Sequence, residues 1–167
     1  PNTHYCFSRI SIMATNKIIG LDMFKRFFIL IYIFFISIAN ICAKDISPMQ
    51  AAAEIKNNLL IIDVRSKLEW KETGIIQNAK LIQMYSAART LRKEYIFEIL
   101  EVLGKDKSIE AAIICHSGGR SSATVAMLKD QGYINISNIA EGMVGYNDST
   151  GWINRGLPTI KCSQECE

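Results

Sequence analysis

Cys115 opens the run CHSGGRS, residues 115–121, and is preceded by the wholly apolar AAII. A thiol at the end of a buried strand, followed by two glycines, an arginine and a helix-opening serine, suits nucleophilic sulfur chemistry. Gly118 and Gly119 permit the positive φ angles with which successive backbone N–H groups turn inward into an anion cradle. A helix starting near Ser121 adds the partial positive charge of its N-terminus, and Arg120 adds a full one. Those surroundings favour the thiolate, which is the nucleophilic form of cysteine, and the same amides would steady a terminal sulfur carried on Cys115. The plainer alternative makes Cys115 a small core residue and Gly118–Gly119 a turn; the whole combination favours function over packing.

The flanking sequence must hold this loop in place. Leu59 begins the continuous apolar run LLIIDV, a second strand of the kind covered on both faces. Ser47, Pro48 and Gln50 form a capping-box start for a helix ending near Asn57 and Asn58. A short helix over 68–73 stops at Gly74, and AKLIQ supplies a short strand. Apolar residues Leu91, Tyr95, Ile99, Val102 and Leu103 predict a helix over 89–103 with Gly104 as its stop. A further helix is expected over 121–131, closed by Gly132, and a last strand in YINISNIA. Strands alternating with helices imply an α/β domain with a mostly parallel central sheet covered on both faces. Ligands of such sheets bind at the carboxyl ends of the strands, where Cys115 lies.

From about Ser47 to Lys161 the chain resembles the rhodanese-like domain family. LLIIDVRSKLEW is similar to the family's first core strand with its Asp-x-Arg and acidic-aromatic pair, here Asp63, Arg65, Glu69 and Trp70. IICHSGGRSSATVAMLKDQGY is similar to the active-site strand, loop and helix, and NIAEGMVGYNDSTGWINRGLP to the closing strand, Gly-Met turn and Gly-Leu-Pro end. The resemblance implies a three-layer single domain and a sulfurtransferase in which Cys115 carries a persulfide. A sulfane sulfur would pass from thiosulfate, a polysulfide or a protein persulfide to a thiol or cyanide acceptor, with no metal or organic cofactor. It also implies that the amides of His116, Ser117, Gly118, Gly119 and Arg120, with Ser121 opening the helix, surround the sulfur, and that Arg120 closes the loop or attracts an anionic donor. Four residues separate Cys115 from Arg120, as in sulfurtransferases, whereas related phosphatases have a longer loop.

Some positions depart from the family pattern. GIIQNA stands where many members have GHIPGA, so Ile75 replaces a histidine; Glu141–Gly142 replaces Gly-Gly, and Tyr146 stands for a frequent Trp. His116 has two open roles, as a pH-dependent charge beside the nucleophile or as an exposed loop residue. Asp63, Arg65 and Glu69 read as structural support, and Trp70 and Trp152 as packing residues. A non-enzymatic alternative is a rhodanese-like module that docks a partner or senses redox state without turnover.

Upstream of the domain, FFILIYIFFISIA follows Lys25 and Arg26 and precedes small residues near Ala39 and Ala43, the order of a secretory signal. The expected organisation is an upstream or non-native extension over 1–22, a signal peptide over 23–43 and one domain over 44–167. Export, into a bacterial periplasm, is the resulting expectation. An uncleaved inner-membrane anchor is the alternative, and Cys42 raises a lipidation option that Ile41 disfavours. Of 19 basic and 16 acidic residues, Arg9, Lys17, Lys25, Arg26 and Asp22 precede residue 44, which leaves the remainder formally neutral. No nucleic-acid footprint is indicated. In an oxidising compartment Cys162 and Cys166, close in sequence, are expected to clasp the tail as a disulfide and leave Cys115 as the odd thiol. A relay role for the pair is the weaker reading, because their spacing is not Cys-x-x-Cys.

Overall fold

The computed structural model describes residues 44–163 and Phe28. The expected leader over 23–43, apart from Phe28, lies outside the described residues, as does Cys166. Among the described residues no helix is long and apolar enough to cross a membrane.

Ten elements follow in order: β1 (Lys44–Ile46), α1 (Pro48–Ile55), β2 (Leu60–Asp63), α2 (Lys67–Thr73), β3 (Lys80–Leu81), α3 (Tyr95–Leu103), β4 (Ala111–Ile114), α4 (Gly119–Asp130), β5 (Ile136–Ile139) and α5 (Gly151–Asn154). The five strands form one sheet in the order β1-β5-β4-β2-β3. Every pairing is parallel, so the mostly parallel expectation is met without an antiparallel exception.

Strand alternation sends neighbouring residues to opposite faces. Ile62, Ala111, Ile113 and Cys115 pack with Tyr95 and Ile99 of α3 and Val125 and Leu128 of α4. Ile61, Ala112, Ile114 and Ile139 pack on the other side with Ala51 of α1 and Trp152 of α5. Both faces are therefore covered, which is why β2 and β4 read as continuous apolar runs. A third cluster joins Trp70, Ile75 and Cys162. Ile75, standing at the family's usual histidine, is 2% exposed and exchanges backbone hydrogen bonds of 2.9 and 2.8 Å with Ile160.

The predicted capping box of α1 and the predicted stop of α2 form, and α2 also has an N-terminal capping box that was not anticipated. Ser47 and Gln50 close one capping box, Ser66 and Glu69 another, and Gly74 ends α2 with φ 77°. The helix expected over 89–103 is shorter and begins at Tyr95. Arg89 adopts φ 58°, Leu91 forms an antiparallel bridge with Tyr85, and the Arg92 amide donates to Met84. Those bonds fold 86–92 back along the preceding chain, and this return outweighs the helical spacing. α4 starts two residues earlier than expected, at Gly119. β1 and α5 were not anticipated, having only three and four residues.

Candidate active site

β2 and β4 are neighbours, yet the chain leaves β2 for β3 on one side and reaches β5 beyond β4 on the other. The sheet's order therefore reverses between them, and loops leaving their carboxyl ends diverge and open a crevice. Val64 continues the pairing by donating its amide to the Ile114 carbonyl at 2.9 Å. Cys115 follows at once, so the thiol sits where the two strand ends part.

Cys115 is 1% exposed. The Gly118 amide donates to its Sγ across 3.2 Å, and the Ser121 hydroxyl lies 3.2 Å from Sγ and 3.0 Å from the Gly118 carbonyl. Ser121 has one proton to give. A thiolate draws that proton to sulfur, whereas with a neutral thiol the hydroxyl can turn to the carbonyl and accept the S–H. The sulfur also faces the first turn of α4, whose N-terminus carries partial positive charge.

Gly118 is essential to this shape. It caps α4 at φ 92°, and a Cβ there would lie 1.9 Å from the Ala140 carbonyl oxygen. Gly119, in contrast, has an ordinary negative φ and no atom within 4 Å of a built Cβ. The expectation that both glycines supply positive φ is thus corrected: Gly118 turns the chain, and Gly119 is already the first residue of α4. The turn after β5 holds the loop from behind. Met143 and Val144 donate their amides to the Cys115 and His116 carbonyls at 2.8 and 2.9 Å. Gly142, at φ 65°, passes so near His116 that a Cβ would be 2.5 Å from its carbonyl.

Asp63 and Arg65 form a fully buried pair at the end of β2, with a contact of 2.7 Å. The Arg65 guanidinium also donates to Thr73 Oγ1 at 2.6 Å and to the Gly74 carbonyl at 2.8 Å. It thereby ties α2 to the sheet, and no atom of the pair contacts Cys115 within hydrogen-bonding distance. The structural role expected for them fits this geometry. Trp70 and Trp152 are both buried, as expected of packing residues.

Glu69 does more than cap α2. Its carboxylate accepts both terminal nitrogens of Arg120 at 2.8 and 2.5 Å, and its Oε1 lies 3.3 Å from His116 Nδ1. Burial alone would raise the Glu69 carboxyl, but hydrogen bonds from Arg120 and from the Ser66 amide and hydroxyl together outweigh it and hold the group at about 2. The same pairing raises the Arg120 pKa. Arg120 is thus not the open charge that the sequence suggested. His116 is half-exposed, with 44% of its side chain accessible. Nothing in a single sequence marks two residues 51 apart as partners, and the Glu69–Arg120 pair was missed for that reason.

Deeper in the α3 side, the Tyr95 hydroxyl bonds Thr124 Oγ1, while burial pushes the phenol well above its usual range. Cys162 is disulfide-bonded; the expected partner, Cys166, is outside the described residues. Among the described residues no group of three or more His, Cys, Asp or Glu side chains is arranged to hold a metal ion.

Comparison with known proteins agrees with the architecture. The model of the rhodanese-like domain matches residues 47–149. The uncharacterized protein RP600 of Rickettsia prowazekii is 28% identical over 121 residues, which cover 72% of this chain and 96% of the relative. Rv0390 from M. tuberculosis superimposes with a TM-score of 0.62 at 23% identity, over 72% of this chain and 98% of that one. A rhodanese-related protein from Thermoplasma volcanium gives 0.51 at 28% identity, over 70% and 97%. With a family match that spans β2 to β5, the cysteine loop and the supporting turn together, the chain belongs to the rhodanese-like domain family.

Proposed function

We propose that the protein is a sulfurtransferase that carries sulfane sulfur as a persulfide on Cys115. The observation that carries this reading is the pair of donors aimed at Sγ, the Gly118 amide and the Ser121 hydroxyl, at the N-terminus of α4. In the first step the Cys115 thiolate attacks the outer sulfur of a donor R–S–S⁻ or of thiosulfate. The donor's S–S bond breaks, its electron pair leaves on R–S⁻ or sulfite, and a new S–S bond forms to Cys115. No net oxidation occurs, because the sulfane sulfur changes only its carrier.

The terminal sulfur then holds the negative charge, and the amides and helix terminus around the loop stabilise it. In the second step an acceptor thiolate or cyanide attacks that outer sulfur and expels the Cys115 thiolate. Both leaving and attacking charges sit against the same preorganised donors, which therefore need no rearrangement during transfer. Because Cys115 is 1% exposed, a slender terminal sulfur has access where a bulky electrophile does not.

His116 to Ser121 form the proposed substrate-binding loop; Asp63 and Arg65 support it from β2. The leader-like order of residues 23–43 supports export, with Cys115 kept as the working thiol while Cys162 is sequestered in its disulfide. Incubating reduced protein with thiosulfate or a polysulfide and then with a thiol acceptor tests the reading. Transfer of one sulfur per Cys115, abolished in Cys115→Ser, is expected. A folded protein that retains its biological effect as Cys115→Ser would instead support a docking or redox-sensing module.

A further inference from the structure

We infer that Glu69 sets donor specificity, holding Arg120 in a closed ion pair so that the Cys115 site favours a singly charged organic persulfide over a small dianion such as thiosulfate. This rests on the persulfide chemistry proposed above and narrows its substrate.

Arg120 is the only cationic residue in the loop over 115–121 apart from a protonated His116. Both of its terminal nitrogens are engaged by Glu69, and the carboxylate is ionised throughout the physiological range. The pair is therefore neutral as a unit. Glu69 cannot swing aside freely, because its Oε2 also accepts the Ser66 amide and hydroxyl at 2.8 and 2.7 Å and so closes the capping box of α2. Releasing Arg120 would also uncap that helix.

Two further donors of the loop are directed at the thiol itself. The Gly118 amide and Ser121 hydroxyl already face Sγ, which leaves them placed for a sulfur bonded to Cys115 rather than for a separate sulfonate. The next arginine around the loop's supporting turn, Arg155, is likewise held by both oxygens of Glu141 at 2.9 and 2.8 Å. With both arginines held in ion pairs, neither offers a free counter-charge to a dianion.

The test compares three donors at pH 8, above the ordinary imidazole range: thiosulfate, the hydropersulfide of N-acetylcysteine methyl ester, and a blocked peptide bearing a cysteine persulfide. The read-out is the second-order rate constant for loading Cys115. Wild type is expected to load both persulfides faster than thiosulfate. The peptide and the small ester distinguish a protein-borne from a free source.

In Glu69→Gln, which keeps a capping-box side chain at that position, thiosulfate loading should rise about tenfold, equivalent to ~1.4 kcal/mol, with the ester changing less than threefold. Loading of the ester serves as the control for folding. Independently of any variant, thiosulfate loading of wild type should not fall steeply between about 20 and 500 mM salt, because Arg120 is already paired and leaves no open loop cation to be screened. A steep fall with salt, faster loading by thiosulfate than by the ester, or an equal effect of Glu69→Gln on both donors would overturn the specificity assignment and leave the sulfurtransferase reading intact. Failure of every donor to load wild type would overturn both.

Discussion

Replacing Gly118 and Gly119 separately by alanine should give opposite results at adjacent positions. At Gly118 the backbone has φ 92°, where an L side chain costs about 1–2 kcal/mol. Its Cβ would also stand 1.9 Å from the Ala140 carbonyl oxygen. That oxygen belongs to the backbone after β5, so relief requires moving the start of α4 away from the sheet, a distortion of about 1–3 kcal/mol. The expected loss is about 2–5 kcal/mol, a large part of the ~5–15 kcal/mol that stabilises a typical domain. At Gly119 the φ is ordinary and the Cβ meets nothing, so alanine should be neutral or stabilise by up to about 1 kcal/mol through helix propensity. Urea unfolding followed by circular dichroism measures both, and Gly119→Ala should still load sulfur on Cys115. Equal effects at the two sites, or a loss under about 1 kcal/mol at Gly118, would refute the account of how the loop is built.

Two further outcomes follow from the charged groups. Glu69 is held at about 2 against an ordinary 4.5, so its ion pair adds stability above about pH 4.5 that fades as pH falls toward 2. The undiminished linkage is ~3 kcal/mol, and solvent access to the pair reduces the expectation to about 1–2 kcal/mol. Wild type and Glu69→Gln should therefore differ by that amount at pH 6 and converge only below about pH 2 in urea titrations; a constant difference would show that the pair contributes no pH dependence. Asp63→Ala should cost about 3–5 kcal/mol, because it strands the buried Arg65 guanidinium, and a loss below 1 kcal/mol by the same method would contradict the buried-pair reading.

The sequence made the sheet legible because β2 and β4 are buried on both faces, and their apolar runs carry that fact directly. Cys115, Gly118 and the helix start were legible as one contiguous segment. Local caps were equally readable: Ser47 with Gln50, and Gly74 and Gly104 as stops, act within a few residues. The return of 86–92 was not, since Leu91 keeps helical spacing with Tyr95 while its backbone bridges Tyr85. Contacts between distant segments left no local mark. The Glu69 clamp on Arg120 and the approach of Gly142 to His116 depend on how β2, β4 and β5 are ordered in the sheet, and strand order is not written in any one strand. Gly119 misled because a glycine's freedom can be read from sequence, but whether the chain uses it cannot.

The central claim is that Cys115 carries the transferred sulfur. Intact mass spectrometry of reduced protein, before and after a persulfide or polysulfide donor, measures it directly, with Cys115→Ser alongside. The account predicts a gain of one sulfur atom in wild type that a thiol acceptor removes, and no gain in the variant. A folded, reduced wild type that gains no sulfur, or a Cys115→Ser protein that gains as much, would contradict it.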